Sequence, residues 1–137
     1  MTDGPDAMHS ILERLAPGSS LRLAMERVVQ QRDGAIVVVG YDRDVESVCS
    51  GGFDLDGSAF TVARLAELAK MDGAIILDEN AEWILKANVH LLPDARIPTT
   101  ETGSRHRTAE RVASQTGRPV ITVSQRRGTV SVFHGGG

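Results

Sequence analysis

The feature that most constrains this chain is the apolar run Ala35–Val39, in which four of the five residues are β-branched. Such residues favour strands, and a strand with no polar alternation is buried on both of its faces. Asp33 and Gly34 form a turn into the run. The sequence therefore predicts a central strand that is covered by other elements on each side.

Helical and strand patterns alternate along the rest of the chain. Helices are predicted over residues 9–16, from a cap at Ser19 or Ser20 to Val28, from a cap at Ser58 to Ala69, and over residues 105–116. Strands are predicted over residues 35–39, 45–49, 74–77, 83–91, 121–124 and 129–133, with residues 51–57 as a glycine-rich loop and 93–103 as an ordered loop or a mobile lid. The expected fold class is α/β, a single domain over residues 1–137 whose central mixed β-sheet is flanked by helices on both faces.

Composition excludes several classes of site. A lone cysteine, Cys49, cannot form an internal disulfide or a zinc cluster, and no two of the four histidines are spaced i, i+4. The lysines Lys70 and Lys86 do not follow a glycine, so the P-loop pattern is absent, as is G-x-G-x-x-G. A net charge of −3 is too weak to attract nucleic acid by bulk electrostatics.

Nothing in the sequence indicates a membrane protein. The longest apolar run is far shorter than the roughly 20 residues that a spanning helix needs. Asp3 and Asp6 stand where a secretory signal would carry basic residues. The expectation is a cytoplasmic protein with no membrane partner.

Residues 104–108, Ser-Arg-His-Arg-Thr, are unusual because they place basic side chains in the first turn of a predicted helix. Cations there oppose the helix dipole, at a cost on the order of 0.3–1 kcal/mol each. A bound anion would reverse that cost, since the N–H groups and the arginines would both point at it, and phosphate is the obvious candidate. The alternative is a solvated basic turn.

Asp72-Gly73 is a second candidate functional site, because it lies between a predicted helix and a predicted buried strand. Most Asp-Gly pairs are simple turns. At the edge of a sheet, however, the glycine permits close backbone approach and the aspartate can face a ligand crevice. A carboxylate in that place could hold a divalent cation or accept a proton from a hydroxyl group.

These segments closely resemble the diadenylate cyclase (DAC) domain, and their wording is nearest to the DNA integrity scanning (DisA) branch of that family. The resemblance rests on Lys-Met-Asp-Gly-Ala at residues 70–74 and on the Arg-His-Arg triplet at residues 105–107. It continues through residues 15–18, 88–94, 97–99, 101–111 and 115–124.

The resemblance implies roles for individual residues. Asp72 would assist the attacking 3′-hydroxyl and lie near the metal, while Arg105, His106 and Arg107 would complete the catalytic set. The implied ATP-binding residues are Gly73, Leu91, Ser104, Arg105, His106, Arg107, Thr108, Ser124 and Arg127. Ser104 stands where the family has threonine, a change that keeps the hydroxyl.

The implied function is condensation of two ATP into the second messenger cyclic di-AMP and two pyrophosphates, with Mg²⁺ or Mn²⁺. The family is oligomeric, so we expect at least a face-to-face dimer, and an octamer for the full-length protein. DisA proteins continue into a helical linker and a helix-hairpin-helix DNA-binding region. We expect both to be absent here and DNA not to be a partner. The alternative is a non-catalytic module that binds ATP or a cyclic dinucleotide.

Overall fold

A computed structural model of the chain describes residues 5–134, apart from the side chains of residues 5–8 and 10 in the first helix. The helices are α1 (Pro5–Arg14), α2 (Ser20–Gln30), α3 (Arg43–Val48), α4 (Val62–Leu68) and α5 (Ser104–Thr116). The strands are β1 (Ala35–Val39), β2 (Cys49–Ser50), β3 (Phe53–Ala59), β4 (Ala74–Leu77), β5 (Trp83–Leu91), β6 (Val120–Val123) and β7 (Val130–Phe133).

The described strands form one mixed sheet in the order β2-β5-β4-β1-β6-β7, with β3 also paired to β5. β1 and β4 run parallel, whereas β1–β6, β4–β5 and β6–β7 are antiparallel. The chain crosses from β1 to its parallel neighbour β4 through α3, the β2–β3 segment and α4. The mixed sheet that the sequence predicts is thus confirmed.

The central strand β1 separates two apolar cores. Ala35, Val37 and Val39 face a core shared with α1, α2 and α4. Ile36 and Val38 face a second core shared with α3 and α5. All five residues of β1 are buried, which confirms the interpretation of the apolar run as a strand covered on both sides.

The strand predicted over residues 45–49 is wrong for residues 45–48, which belong to the short helix α3, whereas Cys49 begins the short strand β2. Asp42 caps the helix: its side chain accepts a hydrogen bond from the Val45 N–H at 3.0 Å. Val45 and Val48 then fall on one buried face with the i, i+3 spacing of a helix. Two β-branched residues suggested a strand, but the cap and the spacing decide the outcome.

The loop predicted over residues 51–57 is also wrong, because most of it belongs to β3. The pairing of β3 with β5 shifts register between Asp54 and Ser58, and the intervening Asp56 and Gly57 both have positive φ. The glycine-rich stretch is therefore an irregularity within a strand. The next helix is capped by Thr61, which accepts from the Arg64 N–H, and not by Ser58 as predicted.

Elements in the C-terminal half position the site described below. α5 begins at Ser104 and ends at Thr116, where Gly117 adopts the left-handed conformation expected of a C-terminal cap, with φ of 73°. The segment before α5 is anchored along that helix, since Arg111 Nε donates to the Ile97 carbonyl and the Asp94 N–H donates to Gln115, both at 2.8 Å. No helix among the described residues is long and apolar enough to cross a membrane.

Candidate functional site

A cleft of about 700 Å³ opens where β4 begins, beside the N-terminus of α5. Its walls come from the start of β4, the C-terminal part of β5, the first turn of α5 and the turn between β6 and β7. The site residues named from the sequence that line this cleft are Asp72, Gly73, Leu91, Ser104, Arg105, His106, Thr108 and Ser124. Segments far apart in sequence thus meet at one place in the fold.

The Asp72–Gly73 corner depends on a glycine. Gly73 has φ of 100°, and a Cβ there would lie 2.8 Å from the carbonyl carbon of Asn88 and 3.0 Å from the Val89 nitrogen. A side chain would meet backbone atoms that cannot move aside cheaply. The close approach of β4 to β5 therefore requires the missing side chain, and it brings Asp72 and Asn88 into the same cleft.

The N-terminus of α5 is open to a ligand. The residue at its N-cap, Gly103, has no side chain with which to cap the helix, and no acidic residue lies in the first turn. Backbone N–H groups at such an end point outward with partial positive charge. Arg105 adds to that charge at the cleft wall, and the neighbouring His106 ring packs edge-on against Phe133 with centroids 5.8 Å apart.

Three charged side chains in the cleft, those of Asp72, Arg105 and Arg126, have no partner within residues 5–134. Asp72 is exposed and makes no hydrogen bond or ion pair there, and the same holds for Arg105, which is half-buried. Arg118, by contrast, is paired with Asp42 at 3.0 Å. The Asp72 carboxylate and the guanidinium groups of Arg105 and Arg126 are consequently free to act on a bound molecule.

Arg107 and Arg127 do not line the cleft. Arg107 is exposed, and its Nε donates to the carbonyl of Glu101 at 3.0 Å. Arg127 lies in the β6–β7 turn, where its backbone N–H donates to Ser124 Oγ at 3.2 Å. The neighbouring Arg126, which the sequence leaves as an ordinary turn residue, lines the cleft instead.

Asn88, His90 and Gln125 also line the cleft, although they are not among the site residues named from the sequence. The first two enter it because β5 pairs with β4, with Val89 opposite Ala74. The register shifts between Ala74 and Ile76, and Asn88 itself has positive φ of 56°. No periodic pattern in the sequence encodes that shift, so the side chains of Asn88 and His90 could not be placed in the cleft from periodicity.

A divalent cation would find one protein carboxylate in the cleft. No group of three or more metal-binding side chains occurs in the part of the chain that the structure describes. Mg²⁺ commonly uses only one or two carboxylates and takes its other ligands from substrate phosphates and water. The unpaired Asp72 fits a metal that arrives with a phosphate-bearing ligand, and does not fit an all-protein metal cage.

Comparison with known proteins gives a consistent result. The family model described as "DAC: DisA bacterial checkpoint controller nucleotide-binding" matches residues 22–137. DNA integrity scanning protein DisA from Acidothermus cellulolyticus is 53% identical over 128 residues, which is 93% of this chain and 34% of that protein. The same protein from Beutenbergia cavernae is 56% identical over 127 residues, 93% of this chain and 35% of the relative. The chain thus spans about a third of the length of these curated relatives.

Solved structures support the fold. The first is a hypothetical membrane spanning protein from Bacillus cereus, with a TM-score of 0.75 and 23% identity over 95% of this chain and 67% of that chain. The second is DacA from Staphylococcus aureus, with a TM-score of 0.67 and 23% identity over 98% of this chain and 87% of that chain. On the matched family model and the DisA relatives, this chain belongs to the diadenylate cyclase (DAC) domain family.

Proposed function

We propose that the cleft is the active site of a diadenylate cyclase that condenses two ATP into cyclic di-AMP and two pyrophosphates. The observation that carries the proposal is the meeting of an unpaired carboxylate, Asp72, with the open N-terminus of α5 and Arg105 in one cleft. This pairing offers a proton acceptor beside a phosphate site. Family membership makes the cyclase the best-supported reaction for such a pair.

Asp72 is proposed to accept the proton of an attacking ribose 3′-hydroxyl. In each transfer, the 3′-oxygen of one ATP forms a bond to the α-phosphorus of the other. The bond between that phosphorus and the bridging oxygen breaks, and pyrophosphate leaves with the electron pair. A second transfer in the opposite direction closes the ring. A carboxylate that is exposed and unpaired can approach the hydroxyl without first breaking an ion pair.

The first turn of α5 is proposed to hold the phosphates. Arg105 and the free N–H groups supply positive charge where the transition state gains negative charge, and the His106 ring at the same turn can donate a hydrogen bond to a phosphate oxygen. The hydroxyls of Ser104 and Thr108 and the turn residue Ser124 lie along the same cleft. The resemblance implies that Arg107 and Arg127 also bind ATP. Because neither lines the cleft, both side chains would have to reach the nucleotide from outside it.

The adenosine part is proposed to lie along β5. Gly73 presents backbone without a side chain, and the buried Leu91 supplies an apolar wall. Mg²⁺ or Mn²⁺ is the proposed cofactor, with Asp72 as its protein ligand, and when bound it neutralises charge on the phosphates. The residues themselves orient the two reactants and accept the proton.

The active form is proposed to be an oligomer that contains at least a face-to-face dimer. Cyclic di-AMP has two equivalent phosphodiester linkages, whereas each chain carries one Asp72 and one Arg105 at its cleft. Two clefts related by a two-fold axis would present one ATP each to the other. We expect larger assemblies, such as an octamer, in the full-length relatives.

The test is incubation of the purified chain with ATP and either Mg²⁺ or Mn²⁺, followed by mass spectrometry of the nucleotides. Cyclic di-AMP as the product supports the proposal. Tight ATP binding with no product would instead identify a binding module, which needs the phosphate site of α5 but not Asp72.

A further inference from the structure

Gly34, the residue just before β1, is a glycine that its own backbone does not require. Its φ lies outside the left-handed region, unlike those of Gly40 and Gly73. What occupies the space of a side chain is the head group of Arg105. A Cβ at Gly34 would lie 2.6 Å from Cζ and 2.8 Å from Nη2 of that arginine, and closer still to Nη1. The guanidinium therefore occupies the position that any other residue would fill with its Cβ.

Arg105 lines two neighbouring cavities. One is the 700 Å³ cleft, and the other is a polar chamber of about 230 Å³. Arg105, Asp72, Gly73, Ile36 and Gln125 line both, and Gly34 lines the chamber. Arg105 thus lines both the proposed phosphate site and the smaller cavity beside Gly34.

The Arg105 guanidinium lies against Gly34 by packing, without a hydrogen bond or an ion pair to the described residues. Asp33, the carboxylate next to Gly34, instead accepts a hydrogen bond from Gln31 Nε2 at 3.0 Å, and the same Nε2 donates to the carbonyl of Ala66 at 3.2 Å. No hydrogen bond or ion pair joins Arg105 to the described residues. All five guanidinium N–H donors consequently remain available to a ligand.

We propose that Gly34 is a positioning residue for the reaction: its missing side chain provides the seat that places the Arg105 guanidinium against the phosphates. The inference rests on the proposed function, because it assigns the phosphates of ATP to Arg105. The inference adds Gly34 to the proposed site. Gly34 is 71 positions from Arg105 in sequence, and a glycine carries no functional group that would indicate such a role.

The substitution Gly34→Ala tests whether the space left by the missing side chain of Gly34 positions the Arg105 guanidinium. The overlapping atoms are the far end of a flexible side chain, so the fold accommodates the methyl group by moving the guanidinium. We expect the thermal unfolding midpoint to stay at the wild-type value while the Arg105 Nε–Hε signal in the NMR spectrum shifts. An unshifted Arg105 signal would overturn the seat, whatever ligand the cleft binds.

A double-mutant cycle tests the function of the seat. The probe is 3′-deoxy-ATP, which lacks the attacking hydroxyl and so reports binding without turnover. Loss of a charge-assisted hydrogen bond corresponds to a roughly 10- to 100-fold weaker Kd. We expect Gly34→Ala to weaken binding by at least tenfold in the wild-type chain. In the Arg105→Ala background, where the head group is gone, we expect a change below twofold.

The outcomes separate this inference from the function on which it rests. Equal effects of Gly34→Ala in both backgrounds would overturn the inference, because Gly34 would then act without Arg105, and the cyclase proposal would stand. Failure of the wild-type chain to bind 3′-deoxy-ATP would overturn the proposed function and the phosphate role of the seat with it.

Discussion

At the residue scale, Asp72 is the side chain that should separate binding from chemistry. Its carboxylate is exposed and unpaired, so Asp72→Asn keeps its shape and removes only the charge. We expect the variant to form no cyclic product while its Kd for ATP stays within about tenfold, or roughly 1.4 kcal/mol, of the wild-type value. Titration calorimetry and product analysis on the same preparation check both halves. Undiminished turnover would remove Asp72 from the mechanism.

The sequence could indicate both halves of the site because each carries a local anomaly. Basic residues in the first turn of α5 oppose the helix dipole, and Asp72-Gly73 stands at the start of a buried strand. Asn88, His90, Gln125 and Arg126 carry no such anomaly. They reach the cleft through strand register and turn geometry, which depend on contacts between distant segments.

At the element scale, the close approach of β4 to β5 at Gly73 should tolerate an added side chain poorly, which Gly73→Ala tests. Gly51→Ala is a matched control, because Gly51 also has positive φ, 67°, but faces open space. We expect the control to lose only the left-handed preference of glycine, about 1–2 kcal/mol of the free energy of unfolding. Gly73→Ala should lose clearly more, since its Cβ also meets the Asn88 backbone. Urea unfolding measures both, and equal losses would contradict the close approach.

The cap of α3 should make stability depend on pH. Burial of the Asp42 carboxylate works against ionisation, but hydrogen bonds from the Val45 N–H and from Arg118 prevail and hold the pKa of Asp42 below its usual value of 3.8. A depressed pKa contributes stability that is present above the unfolded-state value and is lost as the pH falls through the folded-state value. The stabilisation that ionised Asp42 provides should therefore be lost progressively as the pH falls below about 4.

Asp42→Asn isolates this effect, because asparagine caps a helix about as well as aspartate but cannot ionise. Urea unfolding at pH 6 should show the wild-type chain more stable than the variant, and at pH 3 the difference should shrink. A difference that is the same at both pH values would show that the ion pair between Asp42 and Arg118 adds nothing. Asp42→Ala, which also removes the cap, should be less stable than Asp42→Asn at both.

Element types followed from the sequence where the apolar run or the helical periodicity was uninterrupted. The fully apolar β1 and the thirteen-residue α5 with its Gly117 cap are such cases. α3 was not predicted, since its six residues hold too little helical periodicity to outweigh their β-branched composition. β3 failed because its irregular pairing interrupts the alternation that marks a strand, and only its partner β5 makes it one.

At the scale of the whole molecule, the symmetry of the product predicts how mixed assemblies behave. Wild-type chains mixed with Asp72→Asn chains form pairs that can complete at most one of the two linkages. With random subunit exchange, cyclic product per total chain should follow the square of the wild-type fraction. A linear response, in a mixture verified to have exchanged subunits, would mean that each chain works alone.

The central claim is that the cleft joins two ATP molecules with loss of pyrophosphate, and product stoichiometry tests it most directly. A time course with ATP and Mg²⁺ or Mn²⁺ would quantify cyclic di-AMP, pyrophosphate and inorganic phosphate together. We predict two pyrophosphates for each cyclic di-AMP, no release of inorganic phosphate, and no product from Asp72→Asn. Formation of ADP and inorganic phosphate, or saturable ATP binding with no turnover, would contradict the claim.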